Sequence, residues 1–144
     1  MIVIASLLTF VLGFIAMTHF HWAMGGHWPA SDEAALARAA VGTPGVARMP
    51  PPGASMAVGL CLAIAALLPQ MLTGGRLAGL LPPAVLAVVT ELCITIFALR
   101  GVAGFTNWWR SRFPEQPFAT YDRRYYSPLC LFVASGYAVL LFAR

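Results

Sequence analysis

The residues through which this chain could do chemistry are few: five acids, three histidines and three cysteines, most of them inside or beside long apolar runs. Glu91 stands out because it interrupts such a run. An ionisable group deep in a membrane helix costs about 2.5–3.5 kcal/mol on insertion scales and normally faces the bundle interior. There it would carry a proton or act as an acid or base. The plainer alternative is a neutral carboxyl hydrogen-bonded to Thr95 or to a neighbouring helix. His19 and His21 stand two apart and so point about 200° from one another on a helix. They cannot share a metal ion, and His27 lies in a loop. A zinc site needs three or four converging ligands, so no metal is expected. Bis-histidine haem ligation would need a second chain, because the later apolar segments hold no histidine. Cys61, Cys93 and Cys130 show no CxxC spacing, and their odd number leaves at least one thiol free. They read as small hydrophobes in helices. Cys130 near His19 as a nucleophile is one pairing among many. The chain has no lysine, which excludes Schiff-base chemistry. It also has no GxSxG, Walker or GxGxxG sequence, so no catalytic residues are expected.

Binding requires less than catalysis. A histidine or carboxylate near the membrane interface, aromatic walls and an apolar slot suffice for a quinone or a lipid. His19, Trp22, Glu91, Arg100 and Tyr126 are the candidates for such a site. Asp122 is the candidate partner of Arg100 in a structural ion pair that closes the last loop onto the bundle, with Arg123 and Arg124 as the other cations in reach. No resident cofactor is expected beyond a quinone or bound lipid at this site.

These side chains are positioned by apolar helices. Sixty per cent of the 144 residues are hydrophobic and 10% are charged, against about 25% charged in a soluble domain. Four segments, at about 2–23, 54–73, 82–100 and 127–143, approach the roughly 20 residues that cross a hydrocarbon core, and the backbone must be helical there. The fold expected is an all-α integral membrane bundle of four transmembrane helices forming one domain over 1–144. Met1 to Ala23 lacks a basic n-region and a small-residue cleavage site, so it reads as a retained span. Pro82-Pro83 suits the start of the third span and Ser127-Pro128 the cap and first turn of the fourth. Gly74-Gly75 ends the second, and the short connection that follows predicts a hairpin of spans two and three.

The long loops 24–53 and 101–126 fall on one side of the membrane. The first is expected to hold a short helix, Asp32 to Ala40, capped by Ser31; the second, rich in Trp, Phe and Arg, is expected to lie along the interface. Arg38, Arg48, Arg100, Arg110, Arg112, Arg123 and Arg124 belong to the long-loop side, Arg76 and Arg144 to the other. That asymmetry predicts cytoplasmic long loops and both termini outside. At 1.5 Å per residue, His19 lies about 6 Å inside the long-loop face, Cys130 about 4–5 Å, and Glu91 about 13 Å below Arg100. The polar residues thus gather at one end.

His19, Trp22, Gly25 and Gly26, then Pro52 and Ala57, then Arg100 and Gly104, and above all Phe118-Ala119, Asp122 and Tyr126-Ser127-Pro128-Leu129-Cys130-Leu131 form a pattern. It resembles a bacterial family of small four-span membrane proteins catalogued as a domain of unknown function. The resemblance covers nearly the whole chain, and the stretch Phe105 to Pro117 is less basic than the family pattern. It implies a four-helix membrane fold and brings no activity with it.

The expectation is a non-enzymatic accessory or scaffold subunit of a larger assembly in the bacterial inner membrane. Its partners would be membrane lipids and either another membrane protein or a second copy, and not nucleic acid. The small-residue face Gly59, Ala63 and Ala66 supports that expectation. The alternative is a protein or enzyme that takes a quinone or lipid at the long-loop face.

Overall fold

The computed structural model describes residues 1–75 and 77–143. Seven α-helices follow in order: α1 (Ile2–Ala23), α2 (Glu33–Ala40), α3 (Pro52–Leu72), α4 (Pro83–Ala103), α5 (Asn107–Arg112), α6 (Phe118–Tyr121) and α7 (Ser127–Phe142). A π-helical turn, Asp122–Tyr126, joins α6 to α7. Helices α1, α3 and α4 and the continuous stretch Phe118–Phe142 are long and apolar enough to cross a membrane. No strand occurs among the described residues. Arg76 and Arg144, the two arginines assigned to the side opposite the long loops, lie outside them.

Helix α1 buries Ala5, Leu8, Leu12 and Ala16, one residue per turn, and exposes Ile2, Val3, Phe10 and Met17. An apolar outer face of this kind is what lipid requires. The buried stripe packs along α3, and α4 packs along α7, while α3 and α4 touch little. The hairpin expected of spans two and three is therefore not a packed pair. Small residues decide the pairing, because they let backbones approach closely. A Cβ on Gly59 would meet the Phe20 ring of α1 at 2.6 Å, and one on Gly101 would meet Leu131 of α7 at 2.7 Å. The face of Gly59 and Ala66 is thus consumed inside the chain and is not free for a partner.

The two helix pairs are joined by a polar contact that a proline makes necessary. Pro69, inside α3, has no N–H to give the carbonyl of Ala65 four residues earlier. The hydroxyl of Tyr137 on α7 donates to that carbonyl at 2.6 Å, and Tyr137 is fully buried. In lipid no water would otherwise satisfy the carbonyl. A second polar staple links α1 to α3: Thr9 Oγ1 donates to the Ala66 carbonyl and accepts from Gln70 Nε2.

The fourth span starts earlier than Ser127-Pro128 suggests. Ser127 is fully buried in the middle of a continuous helical stretch and caps nothing. Its N–H bonds five residues back to the Asp122 carbonyl. This wider turn directly precedes Pro128, and inserted π turns of this kind are a known source of helix bends. The continuous stretch is 25 residues, which is long enough to cross a hydrocarbon core. In the first loop the cap of α2 is Asp32, not Ser31. The Asp32 carboxylate accepts from the Ala35 N–H at 2.8 Å, while Ser31 donates to it. The Ala35 N–H, followed by the Ser31 hydroxyl, holds the Asp32 carboxyl below the usual carboxylate value. Its contribution to α2 is therefore present at neutral pH and is lost as the pH falls through that lowered value.

Candidate functional site

The two long connections meet at one end of the bundle. The Glu115 N–H donates to the Gly42 carbonyl, and the Glu115 carboxylate accepts from the Gly45 N–H. The Tyr126 hydroxyl donates to the Ala39 carbonyl at 3.0 Å, which ties α2 to the start of α7. Gly42 has φ +77° and is packed against Phe118; a side chain there would be strained and would collide with that ring.

Beneath this cover lies a cavity of about 510 Å³ whose wall is mainly apolar. His19 and Trp22 from α1, Arg100 from α4, and Tyr126 and Cys130 from the fourth span reach it, with Trp28 at its mouth. Glu91 does not. It lies on the exposed outer face of α4, and the Thr95 hydroxyl bonds its backbone carbonyl and not its carboxylate. The expectation that Glu91 faces the interior is thereby corrected. Helix α4 is apolar all round, so burial was no guide to its rotation, and packing through Gly101 turns Glu91 outward.

The polar atoms at the cavity are not equally available. The Trp22 indole N–H donates to the Trp28 carbonyl at 2.8 Å, so Trp22 contributes wall. Tyr126, bonded to Ala39, does the same. His19 differs. Its Nδ1 lies 2.9 Å from the Ile15 carbonyl. A carbonyl can only accept, so Nδ1 carries a proton, and Nε2 is the ring nitrogen not engaged by Ile15. The His19 and Trp22 rings are 4.8 Å apart. His21, two residues on, accepts at Nε2 from the Trp28 N–H outside the cavity.

Arg100 is held on three sides. Its Nη2 lies 2.5 Å from Asp122 Oδ1, its Nη1 donates to Ser127 Oγ at 3.3 Å, and its guanidinium carbon stands 4.5 Å from the centre of the Trp109 ring. Asp122 is 3% exposed and also accepts from the Trp109 indole N–H at 3.0 Å and from the Ser127 hydroxyl. A Cβ on Gly104 would collide with the Ser127 hydroxyl, so glycine is needed for α4 to come this close. Arg123 and Arg124 are exposed and do not pair with Asp122. Two of the five guanidinium N–H donors of Arg100 are engaged, which leaves others for a ligand.

Trp109 and Ser127 are thus parts of the site that reading the residues did not single out. Trp108 and Trp109 are equivalent as letters, and only the turn of α5 points one inward and leaves the other 67% exposed. Ser127 looked like a cap. The chemical character of the site is an apolar slot with a few polar side chains in its wall, His19 and Thr18 among them, and a fixed cation, Arg100. Among the described residues no three of His, Cys, Asp or Glu converge as metal ligands.

Residues 12–137 match the family described as "protein of unknown function (DUF3995)". The match spans most of the chain, and the chain belongs to that family. No curated protein and no solved structure matches it.

Proposed function

We propose that this chain is a membrane-embedded binding protein for an amphipathic molecule, a quinone or a lipid, with its apolar part in the cavity. The carrying observation is that His19 and Arg100, from two different helices, both line one mainly apolar slot. Arg100 would hold a carbonyl or anionic head. His19 would form a hydrogen bond to the head group through the ring nitrogen that Ile15 leaves free. The cavity volume lies within the range of about 300–1,000 Å³ usual for small-molecule sites. The arginine asymmetry supports an orientation with the site at the cytoplasmic face of a membrane, which we place as the bacterial inner membrane.

Leu62 lines the slot from α3. Leu62→Trp should fill it and weaken binding of decylubiquinone or oleate, titrated in nanodiscs, about tenfold or more. Wild-type binding by this variant, or no binding of either probe by the wild type, removes the proposal.

Glu91 favours a second reading, an accessory subunit that packs against a partner or a second copy. It stands near the middle of α4 on an outer face, with Val88, Leu92 and Ile96 exposed around it. A carboxyl facing lipid is costly, and a neighbouring chain would relieve that cost by supplying a hydrogen bond. Glu91→Leu should then lower the mass of the complex seen on native gels of host membranes. An unchanged mass with normal expression rejects this reading.

A further inference from the structure

A second concavity, sharing no lining residue with the first, lies at the same end of the molecule. Arg110 of α5 and Arg123 and Arg124 of the π-helical turn line a groove of about 600 Å³, together with Gln116, Ala119 and Thr120. All three arginines are exposed. Three like charges round one groove repel each other, and among the described residues no acid lines the groove or forms an ion pair with them. Asp122 is held by Arg100, and Glu115 accepts from the Gly45 N–H. Glu33 accepts from the Met49 N–H, Asp32 caps α2, and Glu91 lies on the α4 span. The Thr120 hydroxyl donates to Gln116 Oε1, which occupies the amide's acceptor and leaves its N–H donors. The groove is therefore rich in donors and short of negative charge.

Its surroundings indicate where the missing anion comes from. Trp108, Tyr121 and Tyr125, each within two residues of a groove arginine in sequence, stand exposed, and the Arg124 guanidinium lies over the Tyr125 ring at 5.6 Å. Exposed tryptophan and tyrosine at the end of a span mark headgroup depth, and clustered arginines there meet anionic lipids. We infer that Arg110, Arg123 and Arg124 seat the phosphate of an anionic lipid headgroup in this groove. Guanidinium groups suit that role because they bond phosphate oxygens in a fork.

The test uses the full chain in nanodiscs of phosphatidylcholine mixed with phosphatidylglycerol, released and weighed by native mass spectrometry. The wild type should retain phosphatidylglycerol over phosphatidylcholine. The triple variant Arg110→Gln, Arg123→Gln, Arg124→Gln should lose that preference about tenfold. The double variant Arg38→Gln, Arg48→Gln, which removes as many loop charges less one outside the groove, should keep it. Equal retention by the triple variant overturns the inference, as does equal loss in the double variant. So does protection of lipid-free protein by inorganic phosphate without lipid preference, which would mean a soluble anion. If the triple variant fails to fold, Arg123→Gln alone is read by the same ratio.

Discussion

Replacing Arg100 by leucine should destabilise the protein by about 3–5 kcal/mol, the usual result of removing one partner of a buried ion pair. The penalty comes from what remains. The Asp122 carboxyl would be left without its cation at 3% exposure, with only the Trp109 indole and the Ser127 hydroxyl as partners. Asp122→Asn in the same chain removes the stranded carboxyl and keeps the volume, which matters because Gly104 and Ser127 pack closely round it. The double variant should therefore be more stable than Arg100→Leu alone. Reversible unfolding in mixed micelles checks this, and simple additivity of the two changes would show that the pair is not coupled.

Tyr137→Phe should cost about 1–3 kcal/mol, although it deletes a single oxygen. That oxygen is the donor to the Ala65 carbonyl, which Pro69 leaves without a partner in its own helix. Pro69→Ala restores the helical N–H. In that background Tyr137→Phe should cost less than about 1 kcal/mol. The same loss in both backgrounds would mean that the hydroxyl acts on something other than this carbonyl. The pair also predicts where the defect appears. The bond joins α3 to α7, so loss of it should loosen the contact between the two helix pairs before either pair separates.

Much of the fold was legible in the chain. The first span is Ile2–Ala23 as its composition indicates, and the second and third, Pro52–Leu72 and Pro83–Ala103, differ from the apolar runs by a few residues. Length and hydropathy suffice for this, because lipid leaves helix as the spanning form. The fourth span shows the limit. Ser127-Pro128 has the residues of a helix start, yet the helix runs through them on a π-helical turn. A proline is a poor stop signal where a wider turn can take it up.

Rotation was less legible than depth. Rise per residue places Glu91 near mid-span, but which way it faces depends on an apolar periodicity that a helix surrounded by lipid and helices does not show. The packing glycines held part of that information: Gly101 and Gly104 turn one face of α4 toward α7, and Glu91 falls on another. The same rotation selects Arg100 for Asp122 and leaves Arg123 and Arg124 exposed. His19 and Trp22, one turn apart, and Arg100 at the end of α4 reach one cavity because they share a depth and the two helix pairs close over it. The contribution of α2, tied down by a bond from Tyr126 to Ala39 across 87 positions, had no local signal.

Native mass spectrometry of the chain, extracted gently from its host membrane, tests the binding proposal most directly. The wild type should carry an adduct with the mass of a quinone or lipid, distinct from the anionic phospholipid of the arginine groove, that is weakened in His19→Ala and lost from Leu62→Trp. The groove triple variant should still carry it. Persistence of that adduct at the wild-type level in Leu62→Trp would overturn the proposal, because it would show that this molecule binds outside the cavity.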